Sequence, residues 1–260
     1  GENRRSVQRR INFLLESLME KGPAAVPSIR QFMARMEDVE FSVQRDRNGN
    51  DNNRRNRDRS RATLNFEQPP SMRIGMMEVL KEIGGEQAEQ ALVEVLAKTG
   101  RGVEVAYVSR ILKSISGNNH REDAVAAAHD LLLNPIQIEN PGSMDRNAKN
   151  YLFMVLEMFE DMTFIQSAQT MLINDEGRID RTVLDYLDDV GKEQAVDAIY
   201  QAFNSGQIKN TTDKASLART GLQFSGRNAQ ANQMFKDIMT GDDYSNIVKF
   251  SSLREMDDAD

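Results

Sequence analysis

Small or apolar residues recur along the chain at offsets 0, +3, +4, +7 and +8, the spacing that places one buried stripe along an α-helix. Three copies are regular: Ala88, Ala91, Leu92, Val95, Leu96; Ala124, Ala127, Ala128, Leu131, Leu132; and Ala195, Ala198, Ile199, Ala202, Phe203. Three are looser: Ala25, Ser28, Ile29, Phe32, Met33; Phe164, Ser167, Ala168, Met171, Leu172; and Ala231, Met234, Phe235, Ile238, Met239. The copies begin at 25, 88, 124, 164, 195 and 231, so four of the five spacings fall between 31 and 40 residues, the period of stacked helical hairpins. A further helical stripe can be read ahead of each copy, for example Ile11, Leu15, Leu18 or Val105, Val108, Ile111, Leu112. The pattern therefore predicts six hairpins, with each copy as the second helix of its pair.

Helix ends are predicted at Gly22-Pro23, Gly84-Gly85, Gly117, Gly191 and Gly226, because glycine takes the left-handed conformation that closes a helix and proline fits the first turn of the next. Ser71, Ser143 and Thr212 are the expected N-caps. The segment Ile83-Gly84-Gly85-Glu86-Gln87-Ala88 matches Val190-Gly191-Lys192-Glu193-Gln194-Ala195, with Gly, Glu, Gln and Ala in register. These turns, together with Gly22-Pro23-Ala24-Ala25, resemble the HEAT-repeat superfamily, in particular the short bacterial HEAT-like repeats also found in phycobilisome lyase-type proteins. The resemblance covers roughly residues 4 to 240. It implies an all-α fold, a right-handed superhelix of about six hairpins forming one body over residues 1–240; the residues beyond, 241–260, ending Arg254-Glu255-Met256-Asp257-Asp258-Ala259-Asp260, read as an acidic, frayed C-terminal tail. A fold of this kind does not by itself specify an activity.

Two segments interrupt the pattern; the shorter, Asn134 to Ser143 with Pro135 and Pro141, is a connection before the fourth hairpin. Residues 44–61 hold Arg45, Arg47, Arg54, Arg55, Arg57, Arg59 and Arg61 with three Asp and no apolar residue apart from glycine, which predicts a disordered loop between the first and second hairpins. An insertion there also explains the long spacing of 63 residues between the first two copies. The loop reads either as a solvated insertion or as an electrostatic arm for nucleic acid or an acidic partner. No aromatic residue interleaves with the arginines, so a base-stacking platform is not expected. Asp46, Asn48 and Asn50 imitate the start of a calcium loop, but Asp51 and Arg57 stand where glycine and a bidentate acid are needed.

Composition narrows the chemistry. The chain has no Cys, which excludes disulfides, thiolate metal sites and cysteine nucleophiles. It has no Trp and 14 Met, suiting a core of thin side chains between closely packed helices. No apolar run approaches a membrane span. A first residue of Gly1 instead of Met fits removal of a leader or tag, which points to an exported bacterial protein. Residues 1–130 carry 21 basic and 19 acidic side chains against 12 and 21 in residues 131–260, so the net charge of −7 is concentrated in the second half.

The two histidines, His120 and His129, lack any matched catalytic or metal-binding partner in the sequence and read as turn and rim residues. The acidic groups Glu157, Glu160, Asp161 and Asp188, Asp189 read as chance adjacency among 40 acids. No phosphate loop, dinucleotide fingerprint or nucleophile elbow is present, and no cofactor is expected.

Offsets +2 and +6 point away from the buried stripe on every second helix. In HEAT-like solenoids the second helices line the concave face, so the resemblance implies a groove presenting Gln90, Glu94, Asp130, Gln166, Asp197, Gln201, Gln233 and Asp237. Its acids and amides favour a protein or peptide over nucleic acid. The expected function is a non-enzymatic interaction module. Nucleic-acid binding, as in HEAT-like DNA glycosylases, is the alternative, and tetrapyrrole lyase chemistry is the third reading.

Overall fold

The computed structural model describes residues 4–41, 63–139, 141–242 and 244–258, so the Arg-rich segment 44–61 lies outside the described residues. Among the described residues the chain is α-helical without a strand, and two isolated bridges, Glu40 with Ser71 and Ile173 with Ile179, are its β-type pairings. The helices gather into two compact units, Gly1–Phe159 and Glu160–Asp260.

The first unit contains α1 (Arg4–Lys21), α2 (Val26–Met33), α3 (Met72–Ile83), α4 (Gly85–Lys98), α5 (Gly102–Ser116), α6 (Arg121–Leu133) and α7 (Ala148–Met158). Sequential helices pair as hairpins, and helices two apart also touch: α1 packs on α3, α3 on α5 and α5 on α7, while α2 packs on α4 and α4 on α6. The stripe is what these contacts bury. Ala88, Ala91, Leu92, Val95 and Leu96 of α4 are all buried, and alanine at the first positions lets neighbouring helices come close. Helix α5 is apolar around most of its circumference because α3, α4, α6 and α7 all pack against it. At its start a Cβ on Gly102 would lie 2.7 Å from the carbonyl oxygen of Ala148, so glycine is what allows α5 to meet α7 there.

The second unit contains α8 (Ile165–Met171), α9 (Arg181–Tyr186), α10 (Val196–Asn204), α11 (Thr211–Leu222), α12 (Ala229–Thr240) and α13 (Asn246–Asp258). Here α8 packs on α10, α10 on α12, and α11 on α13. Ala195, Ala198, Ile199, Ala202 and Phe203 are buried, as are Ala231, Met234 and Ile238. The predicted frayed tail is corrected over residues 246–258: they form α13, which buries Val248 and Ser252 against its neighbours. Its spacing escaped the stripe pattern because only Val248 and Ser252, not a run of aliphatics, fill the contact.

Local signals hold in part. Ser71 caps α3, its hydroxyl accepting from the Ile74 N–H at 3.3 Å. Ser143 and Thr212 do not cap helices; Asn210 caps α11 instead, accepting from the Thr212 and Asp213 N–H groups, and Asn228 and Asp180 cap α12 and α9. Gly84, Gly117 and Gly226 have positive φ as expected, whereas Gly191 has φ −66°. The strained position there is Lys192, at φ +48° and ψ −133°, close to the φ +64° and ψ −123° that glycine adopts at Gly117. Gly191 is needed for another reason, since a Cβ on it would lie 2.6 Å from the Ala195 Cβ. A lysine in a region that favours glycine stores strain. Lys192→Gly is therefore expected to stabilise the second unit by about 1 kcal/mol despite the flexibility glycine adds to the unfolded chain, as read by chemical denaturation.

Candidate interaction surface

The outward faces of the second helices stay clear of the core in both units. In the first unit Gln90 and Asp130 are exposed and Glu94 is half-buried. Glu94 is not left as a bare acid, because the Arg30 guanidinium of α2 donates to it through both Nε and Nη2. Asp130 accepts from Asn134 Nδ2 at 3.0 Å. A helix two positions earlier in the chain thus partly neutralises the predicted acidic column at Glu94.

In the second unit residues of the same columns are joined into a polar ladder across α8, α10 and α12 by two side chains one position before the +6 column, Gln169 and Tyr200. Gln169 of α8 donates to Gln201 Oε1 at 2.7 Å, and Gln201 donates to Asp197 Oδ2 at 2.8 Å. On the far side of α10, Tyr200 donates to Asp237 Oδ2 at 2.9 Å, and Gln233 donates to Asp237 Oδ1 at 2.6 Å. The hydrogen bond to Asp237 pushes the Tyr200 hydroxyl pKa up. Gln166, Asp197, Gln201 and Gln233 remain exposed. Gln201 and Asp237 make two of these bonds each and Asp197 and Gln233 one, and carboxylate and amide groups with so few bonds keep further acceptor and donor capacity for an incoming backbone or a basic side chain.

The residues that sequence reasoning passed over are buried ions. Arg73, 1% exposed, donates through Nε and Nη2 to Glu104 at 2.7 and 2.8 Å and through Nη1 to the Met33 carbonyl at 2.7 Å. Thr99 Oγ1 donates to the same Glu104 carboxylate at 2.7 Å. Beside it, Arg101 bridges Asp145 at 2.8 Å, Asp38, and Glu40 at 3.2 Å. Burial works to lower the Arg101 pKa, but hydrogen bonding to Asp145 and the surrounding carboxylates outweigh it and hold the guanidinium charged. The second unit has a counterpart in Asp213, 1% exposed, which accepts from Arg178 Nε at 2.7 Å, Arg181 Nη2 at 2.9 Å and the Ile179 N–H at 3.4 Å. Burial raises its pKa, yet the two arginines and the amide hold it below the ordinary carboxylate value.

These ions have structural partners. Glu104 and Asp213 are each the third residue of their helix, facing an arginine near the start of the previous first helix, 31 and 32 residues earlier. A charged residue inside the apolar run Val103-Glu104-Val105-Ala106 is the signal that could have found the first.

A cleft in the first unit, about 460 Å³, lies where residues 65–69 cross α3 and α5. Its polar groups answer one another: Tyr107 donates to Glu78 at 2.6 Å, Lys81 to Glu78 at 2.7 Å, and Arg110 to Asn65 at 3.0 Å while lying over the Tyr107 ring. Burial pushes the Tyr107 hydroxyl pKa up, and Glu78 adds to it. The contacts anchor the chain as it returns from the Arg-rich segment.

His120 is placed by structure also, with Nε2 2.7 Å from Glu89 Oε1 and Nδ1 3.5 Å from Asp123. His129 lies half-buried on α6. Asp188 and Asp189 sit in the turn after α9, where burial raises the Asp188 pKa and a hydrogen bond from Gln223 opposes it. Asp161 is buried, accepting from Thr163, and its carbonyl accepts from Tyr186 at 2.6 Å. Among the described residues no group of three His, Asp or Glu could hold a metal ion, and no helix is long and apolar enough to cross a membrane.

The seven arginines Arg45, Arg47, Arg54, Arg55, Arg57, Arg59 and Arg61 lie outside the described residues. Comparison with family models, with curated proteins and with solved structures returns no match.

Proposed function

We propose that this chain is a non-enzymatic, HEAT-like helical-repeat module that binds a protein or peptide along the outward faces of its second helices. The observation that supports this reading is the ladder of amides and carboxylates across α8, α10 and α12, exposed side chains fixed relative to one another on a rigid helical base. Their chemistry suits an extended or helical segment with free backbone N–H groups and basic side chains.

A peptide-display library screened against the immobilised chain tests the proposal. Enrichment of basic or amide-rich peptides is expected, and Asp197→Lys with Asp237→Lys should weaken a selected peptide by at least about tenfold through charge reversal. Peptides that bind the reversed variant equally well, or a screen without enrichment, would contradict it. A strong, salt-sensitive shift of duplex DNA that disappears on deleting residues 44–61 would favour the nucleic-acid reading instead.

A further inference from the structure

Between the second helices α4 and α6 of the first unit runs an open trough of about 280 Å³. Its floor is apolar, with Leu96 and Leu131 buried, and its walls include Ala97, Ala126 and Ala127. Ala97 and Ala126 are exposed and Ala127 is half-buried. Helix positions turned to water ordinarily carry long polar side chains. Alanine at these three leaves the gap between the helices unfilled.

Charge at the trough is one-sided: Asp123 and Asp130 line it and no lysine or arginine does. The Asp123 side chain is 59% exposed, with His120 Nδ1 3.5 Å away, and Asp130 accepts from the Asn134 amide. Among the described residues neither acid is paired to a lysine or arginine. Seven residues apart on one helix, the two carboxylates share a face about 10 Å apart along the axis, and Ala126 and Ala127 lie between them.

We infer that this trough seats an amphipathic helix of a partner protein, two apolar side chains filling the gap and a basic residue on either side of them. The inference rests on the reading that the second helices bind a partner, and it specifies that partner's form and sequence pattern. Basic residues seven apart meet Asp123 and Asp130, and apolar residues three and four positions after the first cover Ala126 and Ala127. That pattern is the same in both chain directions. Size agrees with it: 280 Å³ falls below the roughly 300–1,000 Å³ of pockets that enclose a small molecule, whereas an open trough admits side chains from a neighbouring backbone. Two uncompensated acids repel an acidic segment or a phosphate backbone.

A display library of randomised helical peptides selected against the full chain tests this, with binding of the selected peptides read by fluorescence anisotropy. Enrichment of leucine-like pairs flanked by lysine or arginine at seven-residue separation is expected. Ala126→Trp and, on the opposite wall, Ala97→Trp each fill the trough from an exposed position and should weaken a selected peptide by at least about tenfold. Two variants on different helices, with thermal melts checked against the native chain, keep a folding defect in one from deciding the result. Asp130→Lys should weaken the basic peptides by a similar factor, as should raising NaCl from about 50 to about 500 mM, to a smaller extent. Peptides that bind both tryptophan variants as well as the native chain overturn this inference, and the wider reading then stands if they respond to Asp197→Lys with Asp237→Lys. Trough-dependent peptides without basic residues overturn the basic partner. A selection without binders contradicts the inference and the wider reading together.

Discussion

Glu104→Ala is expected to destabilise the first unit by about 3–5 kcal/mol, measured by chemical denaturation, because it strands a guanidinium in the protein interior. Arg73 is 1% exposed and Glu104 is fully buried, so neither can turn to water when its partner is removed. The loss also releases the Thr99 hydroxyl, which donates to the same carboxylate, and leaves Arg101 with one fewer neighbouring acid. The companion experiment is the double substitution Arg73→Met with Glu104→Leu. Two apolar side chains of similar length remove both charges together, so the pair should cost far less than the sum of the single changes. Equal and additive losses would show that the ions are not coupled in the way their geometry describes.

Asp213→Ala is expected to cost less, about 1.5–3 kcal/mol, although the acid is equally buried. The difference lies in the partners: the Arg178 and Arg181 side chains are 54% and 46% exposed, so both rehydrate when the carboxylate is lost. What remains uncompensated is chiefly the Ile179 N–H. Asp213 also gives a pH dependence with a definite sign. Its pKa is lower in the folded state than in the unfolded chain, so the stabilisation is fully present above the ordinary aspartate value and is lost as the pH falls through the depressed one. Melting temperatures of the native chain should thus fall below about pH 4 more steeply than those of Asp213→Asn, with the two curves converging in strong acid. Parallel curves would remove Asp213 from the acid response.

The hairpins were legible because burial imposes a period, and a period survives in sequence whatever the partner helix is. Five of the six stripes fall wholly on helical turns and the fourth overruns α8 by one residue at each end, Phe164 and Leu172, while the positions at offsets 0 and +4 are buried in each, from Ala25 and Ile29 to Ala231 and Phe235, the last only partly. The outward columns were legible for the same reason, as their complement. Individual turns were less so: Gly191 matched Gly84 by letter, yet the positive φ moved one residue on to Lys192, because turn geometry is decided by how the following helix packs. The buried ions were hidden for a different reason. Arg73 and Glu104 lie 31 residues apart, and among 33 basic and 40 acidic side chains no local rule distinguishes a pair that meets from one that does not. Helix α13 was missed because its inner contact rests on Val248 and Ser252, too few apolar positions to register as a stripe.

The stem beneath the Arg-rich segment has a practical consequence. Phe41 donates its N–H to the Pro70 carbonyl at 2.8 Å and Met72 to Val39 at 3.0 Å, while Asp38 and Glu40 are fastened to Arg101. Chain entering and leaving the interruption is therefore clamped before any of the intervening residues begins. A graft between positions 42 and 62, whether a fluorophore-bearing peptide, an epitope or a whole folded protein, would hang from a fixed mount and leave the register of the neighbouring helices as it is, since lengthening a closed loop costs only logarithmically.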